Sequence, residues 1–181
     1  MAMAMVNGIV DKSQVLIGLE QIYRVTDELS CICPHGCRLC EDRETLMLVP
    51  YEDELMGIEN EQSRTFLRDG CGYCYQPRGY SCKKLHSSGI CTIHKKRPFD
   101  CRSFPIVPRF RLDKGNIIDF YLVDDYCPML NEVSAGFIKT TMECWQSIIE
   151  HLPYDWKVMY NHLNHNCYRK KITAVSGDLK L

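Results

Sequence analysis

Twelve of the 181 residues are cysteine, and their spacing is the first sign of chemistry. Cys33, Cys37 and Cys40 form one run around a Pro34–Gly36 turn; Cys82, Cys91 and Cys101 form a second, with Cys127-Pro128 beyond it. Thiolates gathered in this way are held by disulfides or by metal. The segment Met1–Val6 has no basic leader, no long apolar run and no small-residue cleavage site, so no export is predicted. There is also no stretch of eighteen apolar residues, so no membrane span is expected, and the chain is read as soluble and cytoplasmic. In a reducing compartment, closely spaced cysteines are metal ligands or redox centres more often than structural bridges.

Two C-x2-C pairs, Cys37/Cys40 and Cys71/Cys74, have the spacing that lets two sulfurs converge on one ion while nearby amides donate to them. The same spacing suits a redox dithiol. That motif should follow a strand and open a helix, and neither pair is read in such a context, so metal is the favoured reading.

The fuller pattern is Cys33-x2-Gly36-Cys37-x2-Cys40, then Cys82-x2-Leu85-x5-Cys91-x-Ile93-x3-Arg97-Pro98-x2-Cys101-Arg102-x-Phe104-Pro105, then Cys127-Pro128. It resembles the YkgJ-type cysteine-cluster proteins, a zinc- or iron-chelating family, over about residues 31–128. The resemblance implies Cys33, Cys37, Cys40, Cys82, Cys91, Cys101 and Cys127 as ligands. It implies an iron–sulfur cluster or zinc as the bound group, with iron–sulfur preferred. Seven sulfurs exceed one tetrahedral ion, which leaves two centres, or one centre with the remaining cysteines packed around it. The family closes its first run with two adjacent cysteines, whereas this chain has Glu41 after Cys40. A carboxylate is a harder ligand, so four sulfurs from the first run alone are in doubt; Cys31 is a substitute and His35 and His94 are further candidates.

Four thiolates around zinc or a [4Fe–4S] core leave net negative charge that needs nearby donors and counter-charges. Arg97 and Arg102 flank Cys101 and are assigned that cofactor-side role. They belong to a basic stretch, 83–111, whose eight lysines and arginines face one acid, Asp100; residues 41–61 reverse this with eight acids against Arg43. Cations beside Phe99, Phe104 and Phe110 also fit single-strand nucleic-acid binding. The formal net charge of −1 and the lack of a known binding fold disfavour it. His162 and His165 have i, i+3 spacing, for which a solvated helix face is the commoner explanation. No Gly-rich nucleotide loop, H-E-x-x-H or G-x-S-x-G is present.

These ligands must be positioned by an ordinary core, which 45% apolar residues in a chain of this length can build without a metal staple. An amphipathic helix is expected over 13–29, with Ser13 as cap and Leu16, Leu19, Ile22, Tyr23 and Thr26 on its inner stripe. A short strand is expected at 45–49 and a helix over 50–67, opened by the acids Glu52, Asp53 and Glu54. Residues 69–89 read as loop and 90–93 as a brief strand. Residues 104–112 and 117–123 read as a hairpin whose first strand Pro105 and Pro108 confine to an edge. Val133, Phe137, Met142 or Thr141, Trp145, Ile148, Ile149 and Leu152 mark a helix ended by Pro153, and Asp155 caps another running to about Asn164. The last residues, 170–181, read as a tail.

The expected fold is α+β: a small, loop-rich cysteine-cluster domain with a β-hairpin and flanking helices. Its parts are a helical segment over 1–30, the metal-binding region over 31–128 and a helical extension over 129–181 packed on the same core. The expected function is metal binding as an electron-transfer or accessory module, with a metal ion or cluster and a protein as partners. Flagellin lysine methylases are similar in carrying this kind of cysteine block, which makes an S-adenosylmethionine-dependent protein lysine methylase the enzymatic alternative. A nucleic-acid module using residues 83–111 is the other.

Overall fold

The computed structural model describes residues 11–28, 45–58, 74–76, 82–88, 91–123, 133–165, 170–175 and 178–180. They form a mixed α+β fold, with five α-helices and small antiparallel sheets among the described residues. Helix α1 (Lys12–Glu28) buries Val15, Leu19, Ile22 and Thr26, a stripe at helical spacing. Its cap is Asp11 rather than Ser13: the Asp11 carboxylate accepts from the backbone N–H of Ser13 at 3.0 Å and of Gln14 at 3.4 Å. Either residue type can cap, so composition alone does not choose between neighbours.

Strand β1 (Leu46–Met47) pairs antiparallel with β2 (Cys74–Gln76), which falls inside the segment read as loop. Helix α2 (Glu52–Met56) is far shorter than the helix expected over 50–67. It stops at Gly57, in the left-handed region at φ 69°, where the Gly57 and Ile58 amides turn back onto the Glu54 and Asp53 carbonyls. Residues 59–67 lie outside the described set.

Of the segment read as a brief strand, 90–93, Ile90 lies outside the described residues, Cys91 makes a single antiparallel bridge to Leu85, and His94–Lys96 form a 3-10 turn after it. Helix α3 (Phe99–Ser103) leads into the hairpin of β3 (Ile106–Phe110) and β4 (Ile118–Leu122), in register from Ile106–Leu122 to Phe110–Ile118. β5 (Lys170–Lys171) pairs with the other side of β4, leaving β3, with Pro108, at the sheet edge as its prolines require. The chain continues into a second small hairpin, β6 (Thr173–Val175) and β7 (Asp178–Lys180), so the segment read as a tail is in part strand.

Helix α4 (Ala135–Ile148) starts at Ser134, whose hydroxyl accepts from the Phe137 amide at 3.1 Å, and a 3-10 turn (Ile149–His151) carries it to Pro153. Helix α5 (Tyr154–Leu163) follows directly from Pro153. Asp155 therefore sits inside its first turn instead of capping it. One core joins these parts: Val15, Leu19 and Ile22 of α1, the inner hairpin residues, and Phe137, Trp145, Ile148, Trp156 and Tyr160 of the C-terminal helices. Gly18 lets α1 approach α4, since a Cβ there would lie 3.0 Å from Ile148 Cγ2. Asn161 on α5 holds the β3 edge with both halves of its amide. Its Oδ1 accepts from the Phe110 N–H at 3.0 Å and its Nδ2 donates to the Phe110 carbonyl at 2.8 Å.

Candidate metal centre

The second cysteine block is carried by two short pieces of backbone and one helix. Cys82 opens a turn closed by Leu85 N–H donating to the Cys82 carbonyl at 3.1 Å, and the Lys84 amide donates to Cys82 Sγ at 3.4 Å. An amide aimed at sulfur is the usual support for a coordinating thiolate. The Leu85–Cys91 bridge and the Thr92 amide, donating to the Lys84 carbonyl at 2.8 Å, lay this turn alongside Cys91. The 3-10 turn then redirects the chain to Pro98, and Cys101 becomes the third residue of α3. Cys82, Cys91 and Cys101 are all half-buried.

Arg97 is the common neighbour. Burial, and then the positive charge of Arg102, hold its pKa below the ordinary value, while Cys101 and Cys91 act on it in the opposite sense. Both sulfurs are thus within electrostatic reach of one guanidinium. Arg97 Nη1 also lies 3.0 and 2.9 Å from the two ring nitrogens of His94 and donates to the His94 carbonyl at 3.0 Å. Burial first, then Arg97 and Arg102, lower the His94 pKa, so the ring favours its neutral form.

The two arginines assigned to one role on sequence divide it. Arg102 is 2% exposed and turned toward α1. Its Nε donates to the Arg97 carbonyl at 2.8 Å, its Nη2 to the Lys95 carbonyl, and its Nη1 to Thr26 Oγ1 at 3.2 Å and Asp27 Oδ1 at 2.5 Å. The guanidinium carbon stands 4.0 Å from the centre of the Tyr23 ring. Arg102 therefore fastens the loop before Cys101 to α1, and its charge is met by Asp27. Arg97 is left on His94, with Cys101 and Cys91 acting on its charge.

Two carboxylates that sequence reading did not single out complete the setting. Glu52 is fully buried. Its Oε1 accepts from Tyr23 Oη and from the Phe99 amide, each at 2.6 Å, and its Oε2 accepts from the Val49 amide at 2.9 Å. Burial pushes its pKa up to about 7 against the opposing pull of these bonds. Burial, followed by the charge of Glu52, also raises the Tyr23 pKa, so the phenol stays protonated and donates. Asp100 accepts from the Met47 amide at 3.0 Å and from Tyr160 Oη at 2.7 Å.

Of the residues expected to bind metal, Cys82, Cys91 and Cys101 are among the described residues, the first two joined through the Leu85–Cys91 bridge and the third on α3. Cys33, Cys37, Cys40 and Cys127 lie outside the described residues, as do Cys31, His35, Glu41 and Cys71. Cys74 lies on β2, paired with Met47. Among the described residues, no group of three or more His, Cys, Asp or Glu side chains is arranged to hold a metal ion. Cys144 is buried in α4, and burial pushes its thiol up to about 11, as for a core residue. His162 and His165 are exposed at the end of α5, their rings 6.2 Å apart, with His165 Nδ1 2.8 Å from the His162 carbonyl. Phe99 and Phe110 are sealed in the core against Trp145, so they are not open for a base to stack on. No described helix is long and apolar enough to cross a membrane. Comparison with protein-family models, with curated proteins and with solved structures gave no match.

Proposed function

We propose that this is a metal-binding protein whose clustered thiolates hold an iron–sulfur cluster or zinc, and that it acts as an electron-transfer or accessory module. The observations that support the reading are the Leu85–Cys91 bridge, which lays the Cys82 turn alongside Cys91, and the electrostatic influence of both Cys91 and Cys101 on one half-buried cation, Arg97. Thiolates are the ligands common to zinc and iron–sulfur sites, and their combined negative charge needs such a cation close by. Cys82, Cys91 and Cys101 are the second-block ligands in this proposal. Cys33, Cys37, Cys40 and Cys127 supply the rest, in line with the resemblance of the two cysteine runs to a metal-chelating family. The bound group would supply a redox couple if it is iron–sulfur, or a fixed cationic cross-link if it is zinc.

The methylase alternative has no feature among the described residues that favours it. Single-strand binding through 83–111 is weakened by the burial of Phe99 and Phe110. The test is anaerobic purification followed by iron, sulfide and zinc analysis with visible absorption. One or two ions or clusters per folded chain are expected, since seven sulfurs exceed one tetrahedral ion. A folded protein free of all three would overturn the proposal.

A further inference from the structure

We propose that Glu52 is the positioning residue for Cys101, an inference that rests on the metal-binding reading above and deepens it. Helix α3 has only five residues, and its N-cap, Pro98, contributes no side-chain hydrogen bond. The cap comes from elsewhere in the chain, because the Phe99 amide donates to Glu52 Oε1 across 47 residues of sequence. The same carboxylate binds the Tyr23 hydroxyl of α1 and the Val49 amide after β1. One buried group thus fixes the start of the cysteine-bearing helix to two other elements.

The neighbours of Cys101 are each tied to a different part of the fold. Phe99 is held by Glu52, Asp100 by Met47 and Tyr160, and Arg102 by α1 and the 95–97 carbonyls. The Ser103 hydroxyl donates to the Asp100 carbonyl at 2.9 Å. A ligand on so short a helix keeps its direction only if the helix ends are fixed from outside, and metal affinity depends on that direction being set before the ion arrives. Glu52 differs from Arg102 in this respect. Arg102 holds the loop ahead of α3, whereas Glu52 holds the first turn of α3 itself.

Glu52→Gln keeps size and shape but turns one acceptor into an NH2 group that must face a donor. The full chain, loaded with metal as purified, is challenged with a chelator well below its unfolding temperature. Glu52→Gln is expected to release metal about 10- to 100-fold faster than wild type. Ser134→Ala, which removes the α4 cap, lowers stability without touching α3 and is expected to release metal at the wild-type rate. Tyr23→Phe removes one of the three donors to Glu52 and gives a smaller acceleration, which keeps the test open if Glu52→Gln folds poorly.

A second readout needs no metal. In the metal-free protein, alkylation of Cys101 mapped by mass spectrometry is expected to speed up about tenfold in Glu52→Gln, with Cys144 unchanged, because the α3 turn opens more often. Wild-type rates of release and of Cys101 alkylation in Glu52→Gln would overturn the inference. So would an acceleration no larger than that of Ser134→Ala. If wild type holds no metal, the metal-binding reading fails, and the alkylation result alone decides whether Glu52 positions Cys101.

Discussion

Changing Cys101 to serine is expected to weaken metal binding on the order of 100-fold while leaving the metal-free fold in place. A structural zinc site contributes about 10–16 kcal/mol in total, so one of four thiolates accounts for about 3 kcal/mol, which converts to a factor of that size. Serine presents a hard hydroxyl that stays protonated at neutral pH and does not replace a thiolate. The fold tolerates the exchange because Cys101 is only half-buried and the contacts that fix α3 come from Phe99, Asp100 and Arg102. Competition against a chromogenic chelator measures the loss. Cys144→Ser is the control: its thiol sits in the α4 core and its replacement should leave metal affinity unchanged. Equal affinity in Cys101→Ser and wild type would remove Cys101 from the ligand set.

The largest loss of stability is expected from Arg102→Met. Two effects oppose each other here. Removing a buried guanidinium relieves its desolvation, and methionine fills much of its volume. Against this, the Lys95 and Arg97 carbonyls and Thr26 Oγ1 lose their donor, while Asp27, exposed at its tip, can return to water. Thr26 is buried, whereas the carbonyls belong to exposed Lys95 and half-buried Arg97 and can partly return to water, so with about 1–3 kcal/mol for a stranded buried acceptor the net destabilisation is about 1–3 kcal/mol, or a fall in Tm of about 3–10 °C. Arg102→Lys should recover little of it, since an ammonium cannot reproduce a planar fork serving several partners. Thermal unfolding of the metal-free variants reads the difference. A Tm for Arg102→Met within about 2 °C of wild type would show that the clamp carries no net stability.

The elements legible in the sequence are those whose partners are local or periodic. Helices α1, α4 and α5 announce themselves through apolar spacing, and the hairpin through two β-rich runs around 113–116, with Pro108 marking the edge. Errors arose where one residue's conformation or one distant contact decides the outcome. Gly57 ends α2 by adopting positive φ, which a helical pattern read through it does not reveal. The strands at 74–76 and 170–180 are too short to show a period and depend on pairing.

The site was legible in its chemistry and not in its support. Cysteine spacing and the flanking arginines drew attention to residues 82–102, but nothing in the sequence separates Arg97 from Arg102. Their roles diverge only because α1 packs against one of them. Glu52 reads on sequence only as one of three acids opening a helix, in a run of eight acids over 41–61, since an acidic run looks the same whether or not one member turns inward. The signal that marks it is Tyr23, a hydroxyl on the inner stripe of α1 that needs a buried acceptor.

X-ray absorption at the zinc and iron edges of anaerobically purified wild-type protein tests the central claim most directly, because it counts the atoms around the ion. The account predicts a first shell dominated by sulfur, with the ion at about 2.3 Å from each sulfur if it is zinc. A shell of oxygen and nitrogen alone, or protein with no metal at either edge, would contradict it.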